Sequence, residues 1–424
     1  MSARQKKQVH LAAHFPGVNN TTVWADPASR SQIEFSSFRE LARTAERGLF
    51  DFFFLAEGLR LREVNGRIHD LDVLGRPESI TVLNALAAVT THLGLAATVS
   101  ATFNEPYELA RRLASLDFLS DGRAAWNVVT SNDAFTGANF RRGGYLDHSD
   151  RYRRAEEFVQ LASEFWASDG RVVLHSRPQF TVEGAGPLPP SPQGRPVIIQ
   201  AGDSDEGREF AAAHADVVFS RHSTPEAGRA FHADVKRRLA AYGRRPEQLK
   251  IMPGVTFVLG STEAEAAERS ALIRRQQVGP RTALAHLEQI WGLDLSDHDP
   301  DGPLPAADPV VGSALVQGRT RLGDPLELAA RYRKLATEKG LSSREVVIEL
   351  SGRHSFVGTP ESVAAALDEH VQRDAADGFI LIPHLTPGGL DDFVEHVVPL
   401  LQRRGVHRTE YPVGTLRERL TGSP

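Results

Sequence analysis

Short, apolar, β-like segments alternate with helical segments along most of this 424-residue chain. This alternation predicts repeated βα units and therefore an α/β fold with a parallel sheet. Segment 51–56 is apolar on both faces, as expected of a parallel strand that helices cover. No glycine-rich dinucleotide turn interrupts the series, which favours a closed (β/α)8 barrel over a doubly wound sheet. The eight predicted strands are 9–15, 51–56, 93–100, 122–130, 196–202, 216–220, 252–259 and 378–383.

Composition limits the classes of function. The formal charge of −5 argues against nucleic acid or an anionic membrane as the main partner. The chain has no cysteine, which excludes disulfides, thiolate metal sites and a cysteine nucleophile. Its apolar runs fall short of the roughly 20 residues that span a bilayer, and the start of the chain does not resemble a signal peptide. We expect a cytoplasmic protein with one barrel domain over 1–424.

The region 293–325 breaks the βα rhythm with six aspartates among prolines and glycines. An irregular stretch of this length in a compact domain is typically a lid or a binding loop, so we predict a mobile lid insertion. A calcium loop is the alternative for its aspartates. Pro300 lies inside the would-be ligand loop, however, and no glutamate closes it. Residues 399–424 are predicted to form a C-terminal tail.

The segment 122–131 reads Gly-Arg-Ala-Ala-Trp-Asn-Val-Val-Thr-Ser, an apolar strand that runs directly into polar side chains. Asn127, Thr130 and Ser131 would lie at the C-terminal edge of the sheet, where α/β barrels bind ligands. The alternative is that Thr130 and Ser131 only cap the following turn.

A second motif joins a strand to a helix at residues 200–212. The strand ends near Gly202, and a helix begins beside Ser204. Glycine permits close backbone approach, and the free N–H groups of a helix start attract phosphate. A simple serine N-cap without a ligand is the alternative. The spacing does not match the G-x-S-x-G elbow of hydrolases.

His148 and Tyr152 lie four residues apart where a helix is expected to begin, so both would share one helix face. They offer an imidazole and a phenol to one ligand, although Tyr152 packing in the core is the plainer reading. The 16 histidines show no H-E-x-x-H motif and no two-histidine-carboxylate spacing, so we predict no metal site.

Glu57 follows the second predicted strand and places a carboxylate at the mouth of the barrel. It is a candidate base or hydrogen-bond acceptor; the alternative is a structural ion pair with Arg60 or Arg62. Three aromatic residues near predicted strand ends are candidates for the wall of a substrate pocket, with packing in the core as the alternative. They are Phe15, Trp24 and Phe103.

These motifs together resemble a known family. Six segments in order (54–57, 102–107, 122–131, 148–158, 200–212 and the tail from 398 to 417) are similar to the FMN-dependent two-component monooxygenases of the bacterial-luciferase superfamily. The resemblance is to the branch of nitrilotriacetate monooxygenase component A, pristinamycin IIA synthase and dibenzothiophene-sulfone monooxygenase. It covers nearly the whole chain.

The resemblance implies a luciferase-like (β/α)8 barrel with FMN at the C-terminal mouth. Carried over by motif, Glu57 and Thr102 would lie near the flavin ring. Asn127 and Ser131 would lie along the cofactor.

The same resemblance places the phosphate of FMN beside His148, Tyr152, Gly202 and Ser204. The flavin carries the chemistry, so the catalytic residues stay unassigned, with His148 as a possible participant.

The resemblance also implies the reaction. A separate NAD(P)H-dependent flavin reductase would supply reduced FMN, and O2 would oxygenate a small organic substrate through a C4a-peroxyflavin. A homo-oligomer, dimer or tetramer, is expected. Two alternatives remain: an F420-dependent dehydrogenase on the same barrel, and a non-catalytic flavin-binding barrel.

The chain departs from the family pattern at three positions. Glu57 stands where aspartate is usual, and Asp205 stands where some relatives carry a second phosphate-binding serine. Ala25 replaces a common arginine beside the expected substrate pocket. These differences put the substrate in doubt and raise the question of how a carboxylate is tolerated near phosphate.

Overall fold

A computed structural model describes residues 6–18, 21–131, 134–140, 148–186, 188–318 and 323–422. Within these ranges, eight parallel strands close into a barrel in which each strand pairs with its neighbours in chain order. The predicted (β/α)8 architecture is confirmed. The barrel strands are β1 (His10–His14), β2 (Phe52–Leu55), β3 (Gly94–Ser100), β4 (Ala124–Val129), β5 (Val197–Gln200), β6 (Val217–Ser220), β7 (Lys250–Val255) and β8 (Gly378–Leu381).

Helices surround the barrel. They are α1 (Phe35–Arg47), α2 (Ser79–Ala87), α3 (Pro106–Leu119), α4 (His148–Trp166), α5 (Asp205–His214), α6 (Pro225–Arg238), α7 (Glu263–Gln277), α8 (Pro280–Trp291), α9 (Pro325–Lys339), α10 (Ser343–Leu350), α11 (Pro360–Gln372), α12 (Val398–Arg403) and α13 (Leu416–Thr421). Shorter helical turns are Pro16–Val18, Ala134–Gly137, Leu239–Tyr242, Pro246–Gln248, Gly388–Leu390 and Phe393–Val397. No described helix is both long enough and apolar enough to cross a bilayer.

The strands are buried on both sides because each face packs against a different layer. Phe52 and Phe54 of β2 point into the barrel, where small side chains such as Ala12 and Ala96 leave room for them. The opposite face packs against the helices: the ring of Trp126 lies 5.4 Å from that of Phe158 on α4. Burial on both faces explains why the strands read as continuous apolar runs.

One predicted strand has wrong boundaries. The apolar run 252–259 divides into β7 and a separate short strand, Phe257–Leu259, which pairs in parallel with Phe356–Gly358. The chain leaves the barrel at Thr256, whose carbonyl accepts bonds from the backbone N–H groups of Ser355 and Phe356 at 3.1 Å. Apolar character alone does not reveal where a strand changes partner.

The predicted tail closes the N-terminal end of the barrel, which we call the base. Leu416 and Leu420 of α13 pack among the side chains that fill the barrel interior. Thr415 and Glu418 form a capping box that starts this helix. The phenol of Tyr411 donates to the carbonyl of Phe50 at 2.8 Å, which ties the tail to the chain two residues before β2.

Helices α8, α9 and α10 lie between β7 and β8 and form their own apolar cluster around Trp291 and Tyr332. The described part of the predicted lid, 293–318, is irregular but bonded to these helices. The indole nitrogen of Trp291 donates to the carbonyl of Ala307 at 3.1 Å, and Ser343 N–H donates to Gly302 at 2.8 Å. Its mobility stays a prediction, and 319–322 lie outside the described residues.

The inserted segments meet at the C-terminal end of the barrel, the mouth. Val316–Gln317 pairs antiparallel with Glu63–Val64 from the loop after β2. In the same loop, the guanidinium of Arg60 lies 3.6 Å from the ring centroid of Phe135, in the turn after β4, and donates to its carbonyl at 2.8 Å. Three separate parts of the sequence therefore form one cover over part of the mouth. The remaining short strands, Arg67–Ile68, Val172–Ser176 and Thr181–Ala185, form antiparallel hairpins.

Candidate active site

The ends of β3 and β4 form a hydroxyl cluster at the mouth. The hydroxyl oxygens of Ser100 and Ser131 lie 2.8 Å apart. Thr102 donates from its hydroxyl to the carbonyl of Ser131 at 3.2 Å, and its N–H donates to the hydroxyl of Ser100 at 3.2 Å. The structure thus brings the two predicted residues Thr102 and Ser131 together. These bonds fix the loops after two neighbouring strands.

Two amide side chains near the mouth, on β4 and β5, face opposite sides of the sheet. The register pairs Asn127 with Ile199 and Gln200 with Val128, so Asn127 points into the barrel and Gln200 points towards the helices. Asn127 donates from Nδ2 to the hydroxyl of Thr98 at 3.1 Å, while its Oδ1 is buried without a hydrogen-bond partner among the described residues. The Oε1 of Gln200 is also buried and unpartnered within the described chain. Leaving such an oxygen unsatisfied costs about 1–3 kcal/mol. Each of these acceptors marks a place where a ligand can donate a hydrogen bond, one inside the mouth at Asn127 and one beside Tyr152 at Gln200.

The start of α5 forms a cradle with Tyr152. Ser204 is the N-cap, and its hydroxyl accepts from the N–H of Gly207 at 3.2 Å. A Cβ at Gly202 would lie 2.5 Å from the phenol oxygen of Tyr152 and 2.3 Å from Nε2 of Gln200, so any larger residue would displace both side chains. The predicted residues Tyr152, Gly202 and Ser204 are therefore close together. A helix start with nearby hydroxyls suits a phosphate group.

The remaining residue predicted at this end is His148, the first residue of α4. Its side chain, like residues 141–147, lies outside the described part of the structure. The position four residues before Tyr152 on one helix is as predicted, and the role of the imidazole stays a prediction.

The carboxylate of Asp205 does not face an open phosphate site. Its Oδ1 accepts from the guanidinium of Arg238 on α6 at 2.7 Å, and the side chain is 81% exposed. Arg238 also bonds Glu209 and Asp234. The charge that the sequence placed near the phosphate is thus partly neutralised and directed towards solvent.

Glu57 lies half-buried at the mouth. Burial, reinforced by the nearby carboxylate of Glu78, raises the pKa of Glu57 to about 7. The described residues show no ion pair between Glu57 and either arginine: Arg60 pairs with Glu63 at 3.1 Å and Arg62 with Asp72 at 3.0 Å. Glu57 can therefore hold or release a proton close to neutral pH.

His14 is a site residue that the sequence reasoning missed. It lies at the mouth end of β1, is 5% exposed, and stacks on Phe54 with ring centroids 5.4 Å apart. Its Nδ1 has no hydrogen-bond partner in the described chain, and burial lowers its pKa to about 4. The alternation of His10, Ala12 and His14 along β1 was the signal that this imidazole points inward.

The three aromatic candidates lie in different environments. Phe15 is fully buried and stacks on Phe38 of α1 at 4.1 Å, in the layer between barrel and helices. This placement does not support a pocket role and fits the core alternative. Phe103 stacks on Phe140 at 4.9 Å beside the hydroxyl cluster. Trp24 is 41% exposed and lines a cavity of about 420 Å³.

Comparison with known proteins gives the family. The chain matches the model of the luciferase-like monooxygenases over residues 18–378. The chain belongs to this family. It is therefore an oxygenase, and the family places it among flavin-dependent monooxygenases.

Two relatives and one solved structure illustrate the similarity. The chain is 39% identical to N-acetyl-S-(2-succino)cysteine monooxygenase of Bacillus subtilis (strain 168), covering 98% of this chain and 96% of the relative. It is also 39% identical to nitrilotriacetate monooxygenase component A of Aminobacter aminovorans, covering 93% and 91%. A crystal structure of riboflavin lyase with modified FMN and the substrate riboflavin has a TM-score of 0.78 at 31% identity, covering 99% and 96%.

Proposed function

We propose that this luciferase-like monooxygenase uses reduced FMN, supplied by a separate NAD(P)H-dependent flavin reductase, and O2 to oxygenate a small organic substrate. The observation that carries the proposal is the cradle at α5, where Gly202, Ser204 and Tyr152 lie together beside the buried, unsatisfied Oε1 of Gln200. A phosphate suits this cradle, and a ring system with N–H donors on the same ligand would satisfy the unpartnered Oδ1 of Asn127 on the barrel side.

The residues present fit FMN. Gly202, Ser204 and Tyr152 would hold its phosphate at the start of α5, with His148 as a further candidate. The positive end of the helix dipole favours a dianion there. Asn127, which points into the barrel, would accept a hydrogen bond from the remainder of the cofactor, whereas Gln200 lies at the phosphate end. The riboflavin lyase neighbour, which carries a modified FMN, supports this choice of flavin.

Reduced FMN, when bound, supplies the two electrons that activate O2 at its C4a carbon, so that one oxygen atom enters the substrate and the other leaves as water. The protein contributes an enclosed, preorganised mouth. His14 is neutral at pH 7 and can accept or donate one hydrogen bond without carrying charge. Glu57 can hold a proton at its carboxyl oxygen near neutral pH.

A separate reductase is supported by the sequence and by the relatives. The chain has no G-x-G-x-x-G turn that would bind a nicotinamide dinucleotide. One relative bears the name component A, which describes one part of a larger system. The flavin must then be reduced elsewhere and reach this barrel afterwards.

Oxygen consumption tests the proposal. The purified chain is combined with FMN, NADH and a generic flavin reductase, and then with panels of thioethers, sulfones, amines and alkyl compounds. We expect substrate-dependent oxygen uptake and product only when the reductase is present. Rapid NADH oxidation by the chain alone would contradict the two-component proposal. Reduction of F420 by a substrate without oxygen, or flavin binding without substrate-dependent uptake, would indicate one of the two alternative functions.

A further inference from the structure

A cavity of about 570 Å³ lies between the mouth of the barrel and the inserted helices; we call it the insertion cavity. Gly254 and Thr256, at the end of β7, form its barrel side. Gln289 of α8 lies on the insertion side, and Arg353 and His354 lie on the loop that returns to the barrel. The volume suits a small molecule. The polar side chains that line the cavity indicate which chemical group of that molecule they bind.

Gln289 presents an unsatisfied donor. The residue is 2% exposed, and its Nε2 has no acceptor among the described residues. A buried amide without its hydrogen bonds is unfavourable by about 1–3 kcal/mol. A ligand oxygen in the insertion cavity would satisfy this group.

His354 presents a second unsatisfied group. Its Nδ1 lies 2.7 Å from the hydroxyl of Ser270, and its Nε2 is buried with no partner in the described chain. When Ser270 donates to Nδ1, the neutral ring carries its proton on Nε2 and offers a donor. Burial and the nearby His384 and Arg274 lower the pKa of His354 to about 4. Positive charge around the cavity contributes to that shift.

The charged side chains that line the insertion cavity have one sign. Arg62 and Arg353 line it, and its described lining contains no aspartate or glutamate. Arg62 is already paired with Asp72. Arg353 has a single 3.4 Å contact with Glu349, and its side chain is 75% exposed, so its guanidinium can turn towards a ligand at little cost. Donors and positive charge together match a carboxylate.

We infer that the insertion cavity binds a carboxylate group of the substrate, so that this enzyme oxygenates a small carboxylated compound rather than a neutral hydrocarbon or sulfone. The inference rests on the proposed monooxygenase function for the chemistry, but the binding site stands on its own geometry. Gln289, Arg353 and His354 are then the residues that determine specificity.

Binding to matched probes tests the inference. Thiodiglycolate, iminodiacetate and citrate are each compared with their methyl esters, which keep the skeleton and remove the charge. Isothermal titration calorimetry uses the full-length protein loaded with FMN. We expect at least one acid to bind at least ten times more tightly than its methyl ester. If no acid binds more tightly than its methyl ester, the inference is overturned.

Variants locate the binding. Gln289→Leu and Arg353→Gln should each weaken binding of the preferred acid about five- to tenfold and leave the ester unchanged. Gln289→Glu should weaken binding of the preferred acid at least as much, because it replaces a hydrogen-bond donor with a negative charge. Arg373→Gln is the matched control: Arg373 has the same type of contact, with Glu369 four residues away, and lies outside the cavity lining. Equal loss in the control, or no loss at Gln289 and Arg353, would overturn the assignment.

The failure of the proposed function gives a different result. If the acid binds as expected but the reductase-coupled assay yields no oxygenated product, the site stands and the monooxygenase reaction is contradicted for that compound. If neutral esters are oxygenated faster than acids, and the Gln289 and Arg353 variants match wild type, the reaction stands and the carboxylate site is wrong.

Discussion

The two ends of the barrel treat buried polar groups in opposite ways. At the base, Asp51 accepts from His10 at 3.2 Å, from the N–H of Leu11 at 3.0 Å, and from Arg408. Asp377 likewise accepts from the N–H of Ile251 at 2.8 Å and pairs with Lys236 at 3.0 Å. Burial alone would raise the pKa of both carboxyls, but their cationic partners hold it well below the usual range.

At the mouth, buried groups lack such partners. Asn127, Gln200 and His14 each have a buried atom with no partner among the described residues, and Gln289 and His354 repeat this on the insertion side. Paired carboxylates such as Asp51 and Asp377 stabilise the fold, whereas unpaired groups cost stability unless a ligand binds. The difference indicates that the base serves stability and the mouth serves binding, as in other barrels of this type.

The largest expected effect is at the base. Asp51→Asn should lower the free energy of unfolding by about 3–5 kcal/mol, because it leaves the buried Arg408 without its charge partner. Since the folded pKa of Asp51 lies below its ordinary value of 3.8, wild type should lose this contribution as the pH falls below about 4. Urea denaturation at several pH values measures both effects.

The control for this substitution is Asp374→Asn, since Asp374 pairs with Lys7 but is 54% exposed. It should change the free energy of unfolding by less than about 0.5 kcal/mol. Comparable losses of unfolding free energy in Asp51→Asn and Asp374→Asn would mean that the buried ion pair at the base stabilises the fold no more than an exposed one.

The next effect is at the cradle. Ser204→Ala should weaken FMN binding about tenfold or more, because a hydrogen bond to a charged group contributes about 1.5–3 kcal/mol. Riboflavin, which lacks phosphate, should bind wild type and variant equally. Fluorescence titration measures both ligands.

Thr224→Ala is the matched control for the cradle, since Thr224 caps the next helix through the N–H of Ala227. Both variants lose an N-cap of about 1 kcal/mol, but only Ser204→Ala should change FMN affinity. A loss of riboflavin affinity equal to that of FMN would refute the phosphate assignment.

A smaller effect is expected at Glu57. Its folded pKa of about 7 exceeds the ordinary value of 4.5, so the folded state binds more protons between these values. The free energy of unfolding should therefore fall as the pH rises from 4.5 to 7, by about 1–2 kcal/mol after solvent screening. Glu57→Gln should remove this fall, which denaturation at pH 5 and pH 8 would detect.

Glu226→Gln provides the comparison, since Glu226 is 78% exposed and is paired with the nearby Arg229 at 3.5 Å. In this variant the free energy of unfolding should still fall between pH 5 and pH 8, as it does in wild type. If the free energy of unfolding still falls over this pH range in Glu57→Gln, a group other than Glu57 is responsible.

The smallest effect is at Asp205. Because its carboxylate is directed to Arg238, Asp205→Ser should change FMN affinity by less than about threefold. A gain of tenfold or more would show that this carboxylate does repel the phosphate. The same titration as for Ser204→Ala measures it.

The sequence predicts the fold and part of the candidate site, but not the contrast between the two ends of the barrel. The eight strands are predictable because burial on both faces makes them continuously apolar. Motifs at strand ends indicate Asn127, Ser131, Gly202 and Ser204, a helix start indicates Tyr152, and only the family resemblance indicates Thr102; their roles in binding stay predictions. Phe15 was misleading because core and pocket aromatics look alike in one dimension. His14 and Gln289 escaped because an unsatisfied group is defined by what surrounds it. Those surroundings come from distant parts of the chain.

The pairing of β1 with β8 has a consequence for biosynthesis. His10 and Leu11 lie beside Gly378 and Phe379, so the first strand made by the ribosome waits for the last before the sheet becomes a ring. Until then both edge strands are open to pairing with other chains. Leu416 and Leu420, translated later still, cover the interior only after the ring is complete. Loss of the final helix should therefore reduce the yield of correctly folded enzyme in the cell more than it reduces the activity of each folded molecule.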